Sequence, residues 1–158
     1  MFVIDAFIGN WDRHNGNWGF LYTQKNDHME IAPIFDCGSV LFPQIDDELI
    51  KKVILSKAKM NARVYDVPTS ANLIDAKEAN YDKAISSKQF DDCTNALKRI
   101  LPRIDLSGIN KLIDSVEHLS QMQKKFLKRI LKLRKGIMLM IYLNRVIKRH
   151  STSYESKI

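Results

Sequence analysis

Apolar residues crowd the first eight positions, where Phe2, Val3, Ile4, Ala6, Phe7 and Ile8 leave Asp5 as the one charge. Such a run is consistent with the end of a buried helix or strand. Residues 9–16 turn polar, and their Gly and Asn tolerate unusual backbone angles, so a loop is predicted there. Residues 18–23 and 29–35 read as two strands joined through Gln24-Lys25-Asn26-Asp27, a β-hairpin of moderate length. Asp36-Cys37-Gly38-Ser39 then leaves the second strand as another loop.

From Asp46 onward the spacing is helical. Asp46, Asp47 and Glu48 put acid ahead of Leu49, Ile50, Val53 and Ile54, a favourable helix start. Residues 64–70 read as a connection punctuated by Pro68, and residues 77–85 carry only a weak pattern. A helix is predicted over 87–100, ending before Pro102, and Asp105 or Ser107 is placed to cap a helix over 109–115. The last long element spans about 120–150, with Phe126, Leu127, Ile130, Leu131, Arg134, Ile137, Met138, Ile141 and Tyr142 at helical spacing. Its wholly apolar stretch, residues 137–143, is far short of the roughly 20 residues that span a membrane. A helix buried against its neighbours is expected instead, with Gly136 kinking or dividing it. The predicted class is α+β, mainly α, with a small hairpin at the edge of a helical bundle.

At 158 residues the chain suits one domain with a core that needs no disulfides. Its two cysteines, Cys37 and Cys93, imply neither a disulfide framework nor a zinc site. Cys37 is expected to be a small buried side chain. The opening Met-Phe-Val-Ile-Asp has no basic n-region, so no signal peptide is expected and a cytoplasmic location is the default. The net charge of +7 is skewed toward residues 124–149. Such a cluster could attract nucleic acid, an anionic membrane or an acidic partner, but a charge run most often makes a solvated helix face.

The chemistry-bearing residues lie early. Asp12 precedes Asn17 by four residues, and Asp36 follows one hairpin later. Phosphoryl transfer to a hydroxyl needs a carboxylate to accept the proton and oxygen ligands to hold Mg²⁺ against the triphosphate of ATP. Asp12 can supply the first; Asn17 and Asp36, both hard oxygen donors, can supply the second. The hairpin returns the chain, so that Asp36 can emerge beside the loop it left. Taken singly, Asp12 and Asn17 could merely cap turns. Trp11 and Trp18 are read as packing residues, and His14, His28, His118 and His150 are too scattered for a histidine metal cluster.

Two stretches carry a resemblance: Asn10-Trp11-Asp12-Arg13-His14-Asn15-Gly16-Asn17-Trp18-Gly19-Phe20, and Ala32-Pro33-Ile34-Phe35-Asp36-Cys37-Gly38-Ser39. Together they resemble the C-terminal part of HipA-like serine/threonine kinases. The resemblance implies a kinase C-lobe in which Asp12 is the catalytic base and Asn17 and Asp36 bind magnesium. His14, in the same loop, is placed to contact phosphate or brace the loop, which makes His14, Asn17 and Asp36 the cofactor-binding set. Cys37 stands where many protein kinases have phenylalanine, so an aromatic in/out switch is not expected there. No candidate is found here for the phosphate-cradling loop, the strand lysine or the adenine hinge. The expectation is therefore a lobe over residues 1–150, inactive in isolation, with a flexible tail over 151–158. It implies as partners a protein substrate bearing Ser or Thr and a separate or upstream N-terminal kinase lobe, with no nucleic acid and no transmembrane segment. The resemblance also admits export to host cells. Two other readings stand beside it: a non-catalytic module that binds through the basic C-terminal helix, and a lobe of a phosphoinositide-type lipid kinase.

Overall fold

The computed structural model describes residues 1–66, 69–74, 77–87 and 91–155, with backbone alone for 72–74, 77–79 and 148–155. The chain opens with helix α1 (Phe2–Ile8) and continues through a loop into an antiparallel hairpin, β1 (Phe20–Thr23) and β2 (His28–Ile31). Its register pairs Phe20 with Ile31 and Thr23 with His28, and Asp27 closes the turn at a φ of 48°. Helices α2 (Asp47–Ile54) and α3 (Lys57–Asn61) lead through a π-helical turn, Ala62–Asp66, to a second hairpin, β3 (Thr69–Ile74) and β4 (Lys77–Asn80). Helices α4 (Tyr81–Ser86), α5 (Asp91–Ile100), α6 (Leu106–Ser115) and α7 (Gln121–Glu155) complete the fold, which is α+β and mainly α.

Helix α7 is the axis of the core. Phe126, Ile130, Leu131, Ile137 and Met138 recur at three- and four-residue spacing and are buried against α1, α2, α5 and α6. Val3 and Phe7 of α1, Ile50 and Val53 of α2, and Leu97 of α5 meet them. Each such side chain stabilises the fold by roughly 1.5–3 kcal/mol. Capping fixes where α7 begins. Ser120 Oγ accepts from Gln123 N at 3.1 Å, and Gln123 Oε1 accepts from Ser120 N at 2.9 Å, a reciprocal capping box. Ser120 Oγ also donates to Asp47 at 2.6 Å, tying the start of α7 to the start of α2. Asp46 caps α2 by accepting from Leu49 N, and Asp105 rather than Ser107 caps α6.

Several expectations change. Gly136 does not divide α7, which runs on unbroken; the glycine faces open space, and its cost of about 1 kcal/mol relative to alanine is outweighed by burial of its neighbours Ile137 and Met138. Residues 64–70 are more than a connection, since a helical turn and the start of β3 lie there; Val67 and Pro68 are outside the described residues. The helix predicted over 87–100 is described from Asp91, residues 88–90 lying outside the described set. The basic run is only in part a solvated face. Arg134 is buried, Lys124 Nζ donates to the Asp114 carbonyl at 2.8 Å, and Lys135 Nζ donates to that of Ile104 at 2.7 Å. The backbone is helical through Glu155, and residues 156–158 lie outside the described residues. Among the described residues no helix is long and apolar enough to cross a membrane.

Candidate active site

The site is built on the C-terminal end of α1. Gly9 ends the helix at a φ of 68°, a left-handed conformation that glycine adopts without steric cost. It is constrained twice over, because a Cβ there would lie 2.1 Å from Arg134 Nη1. That guanidinium donates to the carbonyls of Phe7 at 3.4 Å and Arg63 at 3.3 Å. A cation at a helix C-terminus is favourable for the unpaired carbonyls and the helix dipole. Burial pulls Arg134 down to about 10, against the opposing pull of Asp82 and Tyr81. Burial likewise pushes Asp82 up to about 6, Arg134 opposing and Asp66 adding to the rise. The Asp82 Oδ2 is buried without a hydrogen-bond partner among the described residues.

The loop after Gly9 is held by a buried polar network. Asp5, one turn back on α1, and Arg13 are each 1% exposed and meet at 3.2 Å. Arg13 Nε reaches both Asp5 oxygens, and Nη2 donates to Oδ1 at 3.2 Å. Asn10 Nδ2 donates to the same carboxylate at 3.2 Å, while Asn10 Oδ1 accepts from Asp12 N at 3.2 Å. From α4 the buried Tyr81 hydroxyl donates to the Asn10 carbonyl. Burial, with Asp5 adding to it and Ser70 opposing, pushes that phenol up to about 12, so it stays a donor across the physiological range. For Arg13, burial pulls the guanidinium down, but its hydrogen bonds to Asp5 and Asp5's charge carry it above its ordinary value.

Arg13 also joins the two candidate loops. Its Nη1 donates to the Asn17 carbonyl at 2.5 Å and to the Phe35 carbonyl at 2.8 Å, and Nη2 approaches Cys37 Sγ at 3.7 Å. One guanidinium thus grips the segment holding Asn17 and both neighbours of Asp36. Asn17 itself is buried, and its Nδ2 donates to the Asp12 carbonyl at 2.9 Å. Asp12 and Asn17 are therefore brought together directly. Asp36 is brought to them through Arg13 and makes no direct hydrogen bond to either. The Asp12 and Asp36 carboxylates make no hydrogen bond or ion pair among the described residues. Asp36 is exposed and held at a φ of 54°. His14 is exposed, and its Nδ1 accepts from Gly16 N at 3.0 Å, a brace for the short 3₁₀ turn Asn15–Asn17.

Asp5, Asn10, Arg13 and Tyr81 were not predicted as site-forming residues. One signal pointed to Asp5: it interrupts an otherwise apolar run, and a charge in such a place needs a partner. Trp11 and Trp18, read as packing residues, are both exposed, and Trp18 rests edge-on against Phe20 with centroids 5.9 Å apart. Cys37 is exposed rather than buried, because it lies within a wholly exposed stretch, residues 33–38, before the chain turns back toward the core.

The donors suit a hard cation. Asn17 spends its Nδ2 on the loop, which leaves Oδ1 for a ligand, and Asp36 offers an unpaired carboxylate. Among the described residues no group of three or more His, Cys, Asp or Glu could hold a metal. A two-donor protein site suits Mg²⁺, which keeps waters and phosphate oxygens in its remaining positions.

Fold and sequence define a kinase-like domain. Over 137 residues, 86% of its length, the chain is 45% identical to the serine/threonine-protein kinase CtkA of Helicobacter pylori. It also superposes on the crystal structure of a Helicobacter pylori proinflammatory kinase, CtkA, with a TM-score of 0.86 and 42% identity, over 95% of this chain. The chain spans 42% of the length of that curated relative and 55% of the chain in the crystal structure. No protein-family model matches it.

Proposed function

We propose that the chain is the C-terminal catalytic lobe of a HipA-like serine/threonine protein kinase, one that transfers phosphate from ATP in a site completed by an N-terminal lobe. The observation that carries this reading is the double grip of Arg13, which holds the Asp12–Asn17 loop against the Asp36 loop. Asp12 accepts the proton of an acceptor serine or threonine hydroxyl. Its main chain is pinned at N by Asn10 and at the carbonyl by Asn17, so the backbone that carries the carboxylate is in place before substrate arrives. Asn17 and Asp36 would hold Mg²⁺, which when bound neutralises charge on the phosphates.

The isolated chain leaves this site open to water, which weakens electrostatic stabilisation, and its own turnover is expected to be negligible. The hairpin supports a covering lobe. All eight residues of β1 and β2 are exposed, among them Phe20, Leu21, Tyr22, Met29 and Ile31. An apolar two-stranded ribbon open on both faces is poorly stable in water and suits burial against another body. The test is to mix the chain with a matching N-terminal lobe and measure phosphate transfer from ATP to protein. Activity restored by mixing and lost in Asp12→Ala supports the assignment; no Asp12-dependent transfer in the mixture defeats it.

A further inference from the structure

An open cleft of about 260 Å³ adjoins the candidate base, with Trp11, Ser39, Gln44, Leu49 and Arg63 in its lining and no acidic side chain among them. Trp11 immediately precedes Asp12, and Gly38 and Ser39 follow the Asp36 loop, so the cleft opens beside the residues that would handle an acceptor hydroxyl. Phe42 forms a platform for two cations, with the Arg63 and Arg134 guanidinium carbons 5.4 and 5.3 Å from its ring centroid. Their circumstances differ. Arg134 is buried and donates to two backbone carbonyls, whereas Arg63 is half-buried at the cleft wall and has no ion pair among the described residues.

The backbone that carries the platform is strained. Leu41 and Phe42 stand consecutively at φ of 57° and 56°, where side chains with a Cβ are disfavoured. Hydrogen bonds from Leu41 N to the Ile8 carbonyl at 3.0 Å and from Ile45 N to that of Phe42 at 3.1 Å hold them there. Strain of this kind persists where the surroundings over-determine the conformation, and it gathers at ligand clamps. Its effect here is to set the Phe42 ring within cation–π distance of Arg63, which favours holding the guanidinium at the cleft wall.

We infer that this cleft receives the acceptor peptide and that Arg63 selects an acidic residue near the serine or threonine to be modified. This deepens the kinase reading and rests on it. A planar guanidinium pairs with a carboxylate through two parallel hydrogen bonds, and the cation–π contact with Phe42 leaves less side-chain freedom to lose on binding. The lining carries no negative charge to oppose an acidic side chain.

The test compares two nine-residue serine peptides, alike except that one carries Glu and the other Gln on both sides of the serine. Affinity for the full chain is read at physiological salt from tryptophan emission in a Trp18→Phe background, leaving Trp11 as reporter. The Glu peptide is expected to bind about tenfold tighter, a preference worth about 1.4 kcal/mol. Arg63→Gln should erase the preference and Arg63→Lys should keep part of it. Gln44→Glu, which leaves Arg63 in place, should reverse or abolish it. Neutralising Lys125 and Arg129 on α7 should leave it intact. Equal affinity for the two peptides, no binding to either, or a preference that survives Arg63→Gln and disappears with the α7 variants would overturn the inference. A failed complementation with the N-terminal lobe would defeat the kinase reading without altering these affinities.

Discussion

The loop from Gly9 to Asn17 and the hairpin that follows it are neighbours in sequence and opposites in construction. The loop is anchored by Asp5, Asn10, Arg13 and Tyr81, all buried, and its hydrogen bonds reach α1, α4 and the Phe35 carbonyl. The hairpin is held by its own ladder and buries none of its eight residues; Ile31 is 70% exposed. The difference shows which half of the site the domain finishes by itself. Placement of Asp12 and Asn17 is internal to the fold, whereas the Asp36 loop is tied to it through one guanidinium.

Arg13→Ala attacks that comparison hardest. It leaves the Asp5 carboxylate buried without its cation and should cost roughly 3–5 kcal/mol in urea unfolding. Removing Asp5 as well should recover part of the loss, which a double-mutant cycle would read directly. Gly9→Ala should cost about 2–3 kcal/mol, since it adds a disfavoured backbone conformation to an overlap with Arg134. Asp82→Asn tests the buried side through pH. The folded carboxyl, pushed up to about 6 from an unfolded value of 3.8, binds its proton more tightly than the unfolded chain does. Its contribution is therefore full below pH 3.8 and lost as pH rises through 6. With the group only partly buried, the variant should gain on the order of 1 kcal/mol at pH 7 and little at pH 4, by denaturant unfolding at both. Ile31→Thr on the open hairpin should move stability by less than about 0.5 kcal/mol. A loss of several kcal/mol there would mean that the hairpin is not the independent ribbon described above.

What could be read from the sequence followed the same division. Helices α2, α5, α6 and α7 announced themselves through apolar spacing and caps, and the first hairpin through two β-rich runs around a polar turn. The second hairpin did not, because Ser70, Asn72, Lys77, Glu78 and Asn80 give its strands neither β-branched enrichment nor alternation. The spacing of Asp12, Asn17 and Asp36 stood out as a candidate site because phosphoryl transfer would restrict both residue type and order. The parts that aim them were not, because Asp5, Arg13 and Arg134 are charged residues that ordinarily face solvent, and only tertiary pairing takes them inside. Strain at Leu41 and Phe42 was invisible for a related reason: neither residue type signals a left-handed backbone.

The seat beneath Gly9 has a consequence for how the chain is made. The Arg134 contact to the Phe7 carbonyl joins positions 127 residues apart. Asp12 and Asn17 are made well before α7, yet the cation beneath the helix end that precedes them arrives only with α7. Until α7 has emerged, the end of α1 has no cation under it and the Phe42 platform carries one guanidinium instead of two. Between the emergence of α1 and that of α7, the candidate loop therefore stands on a helix end whose cation has yet to arrive, and this corner of the fold closes only once α7 is in place.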